Sequence, residues 1–498
     1  MNDLRAKIDQ NATNLVTSRW YYCFLALISF IFVILFSRAT SPLYAYVGYD
    51  AAIFKQMGMA ILKGKTIYLD YFDNKGCLLY FIHALGLWLG GGFIILIFQA
   101  ISLTISLVFL DKIISLYKEG ASRLYILLAG IVLLLCFYEG GDLTEEWSLP
   151  FICYPLYKFL KSYKNNKPLI AKDLYYIGLC FGVIAFLRIN NAVPFCGFLI
   201  CLFIGYLWKK QWKEFVINAL AFAGGVLTIT IPCFLYFYLK AGLEGVYWMV
   251  YGTFLSGFEY LKVGFQTPIL VFISYYLIVF VFLFLQIFAS NNDKKVFAPI
   301  IVSYLLFLLG FGTKCLEHYQ IVMIPLYVCS IVSFDFQRKW LKKLLLGLMI
   351  TVMLAFLVRP FGFLLFEVIA GNDKFEVVNA DFHDIVKLIP EAELDSIYNY
   401  NTDLAGCGLL YHEKLLQSNK VLYSTLSFML KTLSDDRRRL EDERPLWIMI
   451  YHGMVIPSEM PYIQENYEQR FVLHYDTRYL KNFQGFGIEK DIYFFRRK

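Results

Sequence analysis

The stretch Gly48–Tyr80, GYDAAIFKQMGMAILKGKTIYLDYFDNKGCLLY, decides how the rest of the chain is read. It follows a first apolar run, Trp20–Phe36, and precedes a second. It carries Asp50, Asp70, Asp73 and Lys75 in the pattern helix, turn, polar loop, helix. Asp50 stands before Ala51-Ala52-Ile53-Phe54-Lys55 and Gly64 follows Lys63, which predicts an N-cap and a C-terminal stop for a short helix. The turn-rich Asp70–Gly76 reads either as a solvated loop or as a phosphate site. In the second case Lys75 is the point charge and the aspartates order the loop.

Outward from this stretch the chain is lipid-soluble. Apolar residues make up 59% of the chain and charged residues 17%, against about 45–50% and about 25% in soluble domains. A polytopic α-helical membrane protein is expected, with about eleven spans of roughly 20 residues each. They fall near 20–38, 93–116, 122–138, 147–161, 172–188, 192–208, 215–238, 267–289, 297–313, 319–335 and 343–366. Cys77–Leu89 is too short to span before Gly90-Gly91-Gly92 and reads as an interfacial helix. Trp20–Phe36 lacks a small-residue cleavage site, so it reads as a first transmembrane helix rather than a removable signal. Eleven cysteines occur without a CxxC pair, so neither a zinc site nor a disulfide framework is indicated.

The net charge of +7 is modest and its lysines and arginines fall in short loops, which indicates topology and not nucleic-acid binding. With a cytoplasmic N-terminus, the cytoplasmic side collects most of the basic residues, among them Lys158, Lys161, Lys164, Lys167 and Lys172. An odd number of spans then places the C-terminus outside. From about Asn372 the composition changes. A helix near Asp381–Pro390 and strands near Asp395–Tyr400, Leu446–Tyr451, Phe471–Tyr475 and Ile492–Phe495 predict a small extracytoplasmic α/β domain. The expected division is 1–370 for the membrane domain, with an external catalytic loop at 41–92, and 371–498 for the second.

On this topology the unusual polar residues share the external face. Asp50, Asp70, Asp73 and Lys75 lie in the first loop, and Glu139, Asp142, Glu145 and Glu146 in the second. Arg188 ends the fifth span, and His318-Tyr319 opens the tenth. Helix capping, dipole compensation and snorkelling each account for single members. Ionisable residues at a membrane boundary are costly, and so many on one face point to a site.

The order of these motifs resembles that of GT-C fold glycosyltransferases, in particular the protein O-mannosyltransferase and aminoarabinose lipid A transferase branch (glycosyltransferase family 39 and relatives). The matching segments are Asp50, the helix Ala51–Lys63, Gly64–Tyr68 and Asp73-Asn74-Lys75-Gly76-Cys77, where the family often has prolines at the last two positions. Thr144–Pro150, Gly178–Gly182 leading to Arg188, and Gly312–Pro325 with His318-Tyr319-Gln320 resemble its later motifs.

The resemblance implies an inverting hexosyl- or pentosyltransferase of the cell (inner or plasma) membrane with its active site outside. The donor would be a polyprenyl-phosphate-linked sugar, and the acceptor a lipid, a glycan or a protein. It implies Asp50 as general base, assisted by Glu145 or Glu146, and Lys75, Arg188 and His318 on the donor phosphate. Asp70, Asp73, Glu139, Asp142 and Tyr319 would support the loops. No metal or other cofactor is required on this reading, although the carboxylates leave room for a divalent cation. Two alternatives stand beside it. A lipid-linked sugar transporter (flippase) would carry its polar residues at the bilayer midplane in paired repeats. A polysaccharide polymerase or ligase would concentrate them in a large late loop.

Overall fold

In a computed structural model the protein is described for residues 2–45, 49–256, 269–288, 294–311, 316–333, 347, 350–351, 354, 356–371, 374–400, 403–420, 440–451, 461–474 and 491–498. It is predominantly helical. In chain order the first elements are α1 (Asn2–Thr17), α2 (Tyr21–Phe36), α3 (Tyr49–Leu62), α4 (Cys77–Gly90), α5 (Gly92–Ser115), α6 (Gly120–Phe137) and α7 (Thr144–Asn165). They are followed by α8 (Ala171–Arg188), α9 (Val193–Trp208) and α10 (Trp212–Val250). Later helices cover Ile269–Phe288, Lys294–Phe311 and Ile324–Ser333.

Among the described residues, four helical runs are long and apolar enough to cross a membrane: Gly92–Ser115, Gly120–Phe137, Ala171–Trp208 and Trp212–Leu255. The pair Asp9–Thr17 and Tyr21–Phe36, bent by 93°, makes a fifth if taken as one span. The expected eleven spans are therefore not what the structure carries. Three causes are visible. The expected spans 172–188 and 192–208 lie on one helical run. α7 carries Pro150 and Pro155 and a lysine-rich last part. The side chains of the later helices Ile269–Phe288 and Lys294–Phe311 are described only over Tyr276–Ile287 and Val296–Gly310, and the expected span 343–366 lies largely outside the described residues.

The Ala171–Trp208 run is sharply bent at Arg188. Arg188 has an extended backbone (φ −166°, ψ 108°) where α8 meets a 3-10 turn, Ile189–Ala192. Beyond it the rings of Phe181 and Phe195 lie 6.3 Å apart, far closer than fourteen residues of straight helix at about 1.5 Å per residue would allow. This bend sets the Arg188 side chain beside the start of α7, where it meets Glu145.

The Tyr71–Cys77 part of the first loop is largely withdrawn from solvent. α3 and α4 fold against one another, and Phe54, Tyr68, Phe72 and Tyr80 form a buried cluster with Phe186, Leu187 and Phe237. Asp73 is completely buried and Lys75 is buried beside it. Gly76 explains how the loop meets α8. Its N–H donates to the Leu187 carbonyl at 2.9 Å, and an added Cβ would lie 2.0 Å from the Phe186 carbonyl oxygen. A proline could neither donate that bond nor fit there.

The C-terminal region carries a four-stranded mixed sheet in the order β1-β2-β4-β3, with β1 Ile397–Tyr400, β2 Trp447–Tyr451, β3 Tyr467–Leu473 and β4 Ile492–Arg497. β1 and β2 are parallel and the other pairings antiparallel. The helix Lys374–Leu388 covers one face through Phe382, whose ring lies 5.9 Å from Phe494. Segment 403–420 wedges against the first loop. Gln56 donates to the Cys407 and Leu415 carbonyls at 3.2 and 3.0 Å, and Tyr71 to the Gln417 carbonyl at 2.7 Å.

Candidate active site

Side chains from distant stretches of the chain meet where α8 ends. Arg188 is the hub. One guanidinium nitrogen donates to Glu145 Oε1 at 2.8 Å and the other to the Tyr319 hydroxyl, also at 2.8 Å. The guanidinium lies over the Tyr319 ring at 4.5 Å. Glu145 is held on its other oxygen by Thr144 Oγ1 at 2.8 Å. Both Glu145 and Glu146 sit in the first turn of α7, where the helix dipole favours carboxylates.

His318 lies next to Tyr319, their rings 4.7 Å apart, and its Nδ1 pairs with Glu139 Oε2 at 2.7 Å. Arg359 then pairs with Glu139 Oε1 at 3.8 Å and with Glu317. Burial works against both charges of the His318–Glu139 pair, and their mutual attraction outweighs it. The Glu139 carboxyl is held below its ordinary value by His318 and Arg359, and the imidazole is held above its own by Glu139, Glu145 and Asp50.

Asp50 occupies the first turn of α3 and not the N-cap that its sequence position suggested. It is half-buried, and its negative charge acts on both Arg188 and His318. Among the described residues its carboxylate accepts no hydrogen bond, in contrast to Glu139, Asp142, Glu145 and Glu146.

The remaining expected residues divide between bracing and the first loop. Glu146 is buried and fully engaged: Tyr138 donates to one oxygen at 2.7 Å, and Gln99 and the Asp142 N–H to the other at 3.0 and 2.9 Å. Burial raises its carboxyl to about 7, helped by the Asp142 charge and opposed by those donors. Asp142 accepts from His83 at 2.9 Å and from Trp147 Nε1 at 3.0 Å. Burial disfavours its charge, but His83 and Lys55 hold the carboxyl below the usual range. The sequence Glu139-Gly140-Gly141-Asp142 makes this geometry possible. Gly140, Gly141 and Asp142 have φ of 91°, 75° and 59°, and an added Cβ at Gly141 would stand 2.6 Å from Ser37 Oγ. The turn aims Glu139 toward His318 and Asp142 toward His83.

Asp70 accepts the Thr66 N–H at 2.6 Å, and Asp73 accepts the Tyr80 hydroxyl at 2.6 Å. Lys75 Nζ lies 4.0 Å from Asp73 and 2.9 Å from Asn74 Oδ1. These three order the loop, and Gly76 ties it to the residue before Arg188. His83, Gln99, Arg359, Glu317 and the buried Arg38–Glu367 pair (2.6 Å) are site neighbours that the sequence reading did not assign. Among the described residues, no three His, Cys, Asp or Glu side chains are grouped to hold a metal ion. No family model matches the chain, and no curated protein is significantly similar to it.

Proposed function

We propose that the chain is an integral-membrane glycosyltransferase of the inner or plasma membrane. It would move a sugar from a polyprenyl-phosphate donor to a lipid, glycan or protein acceptor on the extracytoplasmic face. One observation carries the reading: Asp50, a carboxylate with no hydrogen bond among the described residues, stands within electrostatic reach of a fixed guanidinium, Arg188, and of a histidine that favours its charged form.

The chemistry follows from the charges. Asp50 takes the proton from an acceptor hydroxyl or amine as that atom attacks the anomeric carbon. The bond from the anomeric carbon to the phosphate oxygen breaks on the opposite side, and configuration inverts. Its electron pair leaves with the polyprenyl phosphate. Arg188 and His318 stabilise the charge that builds on that phosphate, and Lys75, expected there from the sequence, orders the docked loop instead. Glu145 and Tyr319 fix the Arg188 fork in place, which lowers the reorganisation needed during transfer. Glu146 and Asp142 brace the turn and do not handle protons from the acceptor. The direct test supplies membranes containing the protein with a panel of labelled polyprenyl-phosphate sugars. Consumption of one donor, with label on an acceptor, is expected. If every donor survives incubation with folded protein, the reading is wrong.

A further inference from the structure

The end of the body opposite Arg188 carries a different set of charges. α5 and α7 pack side by side, and near their C-termini Phe109 meets Tyr154 and Tyr157 at ring distances of 5.3 and 6.0 Å. Lysines stand over these rings and over Tyr117. Lys112 lies over Phe109 at 4.9 Å, Lys158 over Tyr154 at 5.8 Å, Lys161 over Tyr157 at 5.5 Å and Lys164 over Tyr117 at 5.2 Å. Each distance is within the roughly 6 Å over which a ring face attracts a cation. Lys158 is neutralised by Asp173 at 2.6 Å. Lys112, Lys161 and Lys164 have no carboxylate within ion-pair distance among the described residues.

We propose that this patch binds the headgroups of anionic phospholipids. Three observations select that occupant. The unneutralised charges are positive, so the complement is an anion. The ammonium groups sit at the level of a tyrosine and phenylalanine cluster just where apolar helix ends, the arrangement that aromatic belts and snorkelling lysines adopt at a membrane interface. The ring faces hold each ammonium from the protein side, leaving its other side for a phosphate. Helix C-termini favour lysines there, and the rings of Phe109, Tyr157 and Tyr117 beneath them add a second attraction. This inference needs the membrane reading and not the sugar-transfer reading, because its assay involves no sugar.

The full-length protein is exchanged into mixed micelles of equal phosphatidylcholine and phosphatidylglycerol, purified again, and its retained lipids quantified at low and high salt. Wild type is expected to retain phosphatidylglycerol in excess, with the excess falling as salt screens the charges. The combined variant Lys112→Gln, Lys161→Gln, Lys164→Gln is expected to lose it, at up to about a fivefold loss of binding per lysine removed. The corresponding Lys→Arg variant keeps the charge and is expected to keep the excess, which separates loss of charge from misfolding. Lys65→Gln, an exposed lysine at the other end, is expected to behave as wild type. Equal retention of both lipids by wild type overturns the proposal, and so does an excess that survives in the triple Gln variant.

Discussion

The two ends of the helical body handle charge in opposite ways. At the Arg188 end, cations are locked to carboxylates: Arg188 to Glu145, Arg38 to Glu367, Arg359 to Glu317 and His318 to Glu139. At the other end Asp111 is buried against Arg123 and Tyr21, but Lys112, Lys161 and Lys164 rest on rings with no acid within ion-pair distance among the described residues. Buried ion pairs are weak evidence for stability, because desolvation offsets much of their attraction. The larger network of them at the Arg188 end suits a task that needs fixed charges. On the proposed reading the rigid end holds an anion in one geometry and the lysine end meets a surface.

The largest expected effect breaks the rigid end at its hub. Arg188→Ala leaves Glu145 buried without its partner, a loss of about 3–5 kcal/mol. It also removes the main stabiliser of the leaving phosphate, so transfer should fall about 10²–10³-fold. Donor binding and thermal unfolding in detergent separate the two effects.

Next comes the docking of the first loop. Gly76→Ala pushes a Cβ into the Phe186 carbonyl and should lower stability by about 1–3 kcal/mol. Gly76→Pro should cost more, because the bond to Leu187 goes as well. An unfolding temperature equal to wild type for both variants would show that the loop does not depend on this contact.

A smaller effect is the pH response of the His318–Glu139 pair. Glu139 is held below its ordinary 4.5, so its contribution is present above that value and lost as pH falls through the depressed pKa. His318 is held above its ordinary 6.5, so its contribution is present below that value and lost as pH rises through the raised pKa. The pair is therefore at full strength between 4.5 and 6.5 and weakens on the alkaline side. The unfolding temperature of His318→Gln relative to wild type should fall furthest in that window and converge with it at higher pH. A constant difference across the range would contradict the assignment.

The smallest effect belongs to the lysine end. Lys161→Gln should leave stability within about 0.5 kcal/mol of wild type and leave transfer unchanged. A large loss of transfer there would erase the distinction between the ends.

The coarse plan was legible in the sequence. Apolar runs gave most helices, and alternating aromatic runs gave four strand positions within a few residues of β1 to β4. Two things were not. The first loop looked solvated because Asp73 and Lys75 are charged, yet both are buried; no local pattern reports that Tyr80 and Gly76 would satisfy and dock them. The bracing residues were also missed. His83 in CLLYFIHALG, Gln99 in ILIFQAIS, Arg359 in AFLVRPFG and Glu367 in FLLFEVIA all interrupt apolar runs. Polar groups in such runs are costly and need partners, so this signal was present and would have found them. Pairing a residue with one 329 positions away, as Arg38 pairs with Glu367, is beyond any local reading.

The central claim is that Asp50 removes the acceptor proton at a site where Arg188 holds the leaving phosphate. Single-turnover transfer from the labelled donor by Asp50→Asn, with donor binding measured on the same preparation, tests it most directly. Transfer should fall about 10²–10⁴-fold while the donor still binds. Transfer near the wild-type rate by the folded variant would contradict the account.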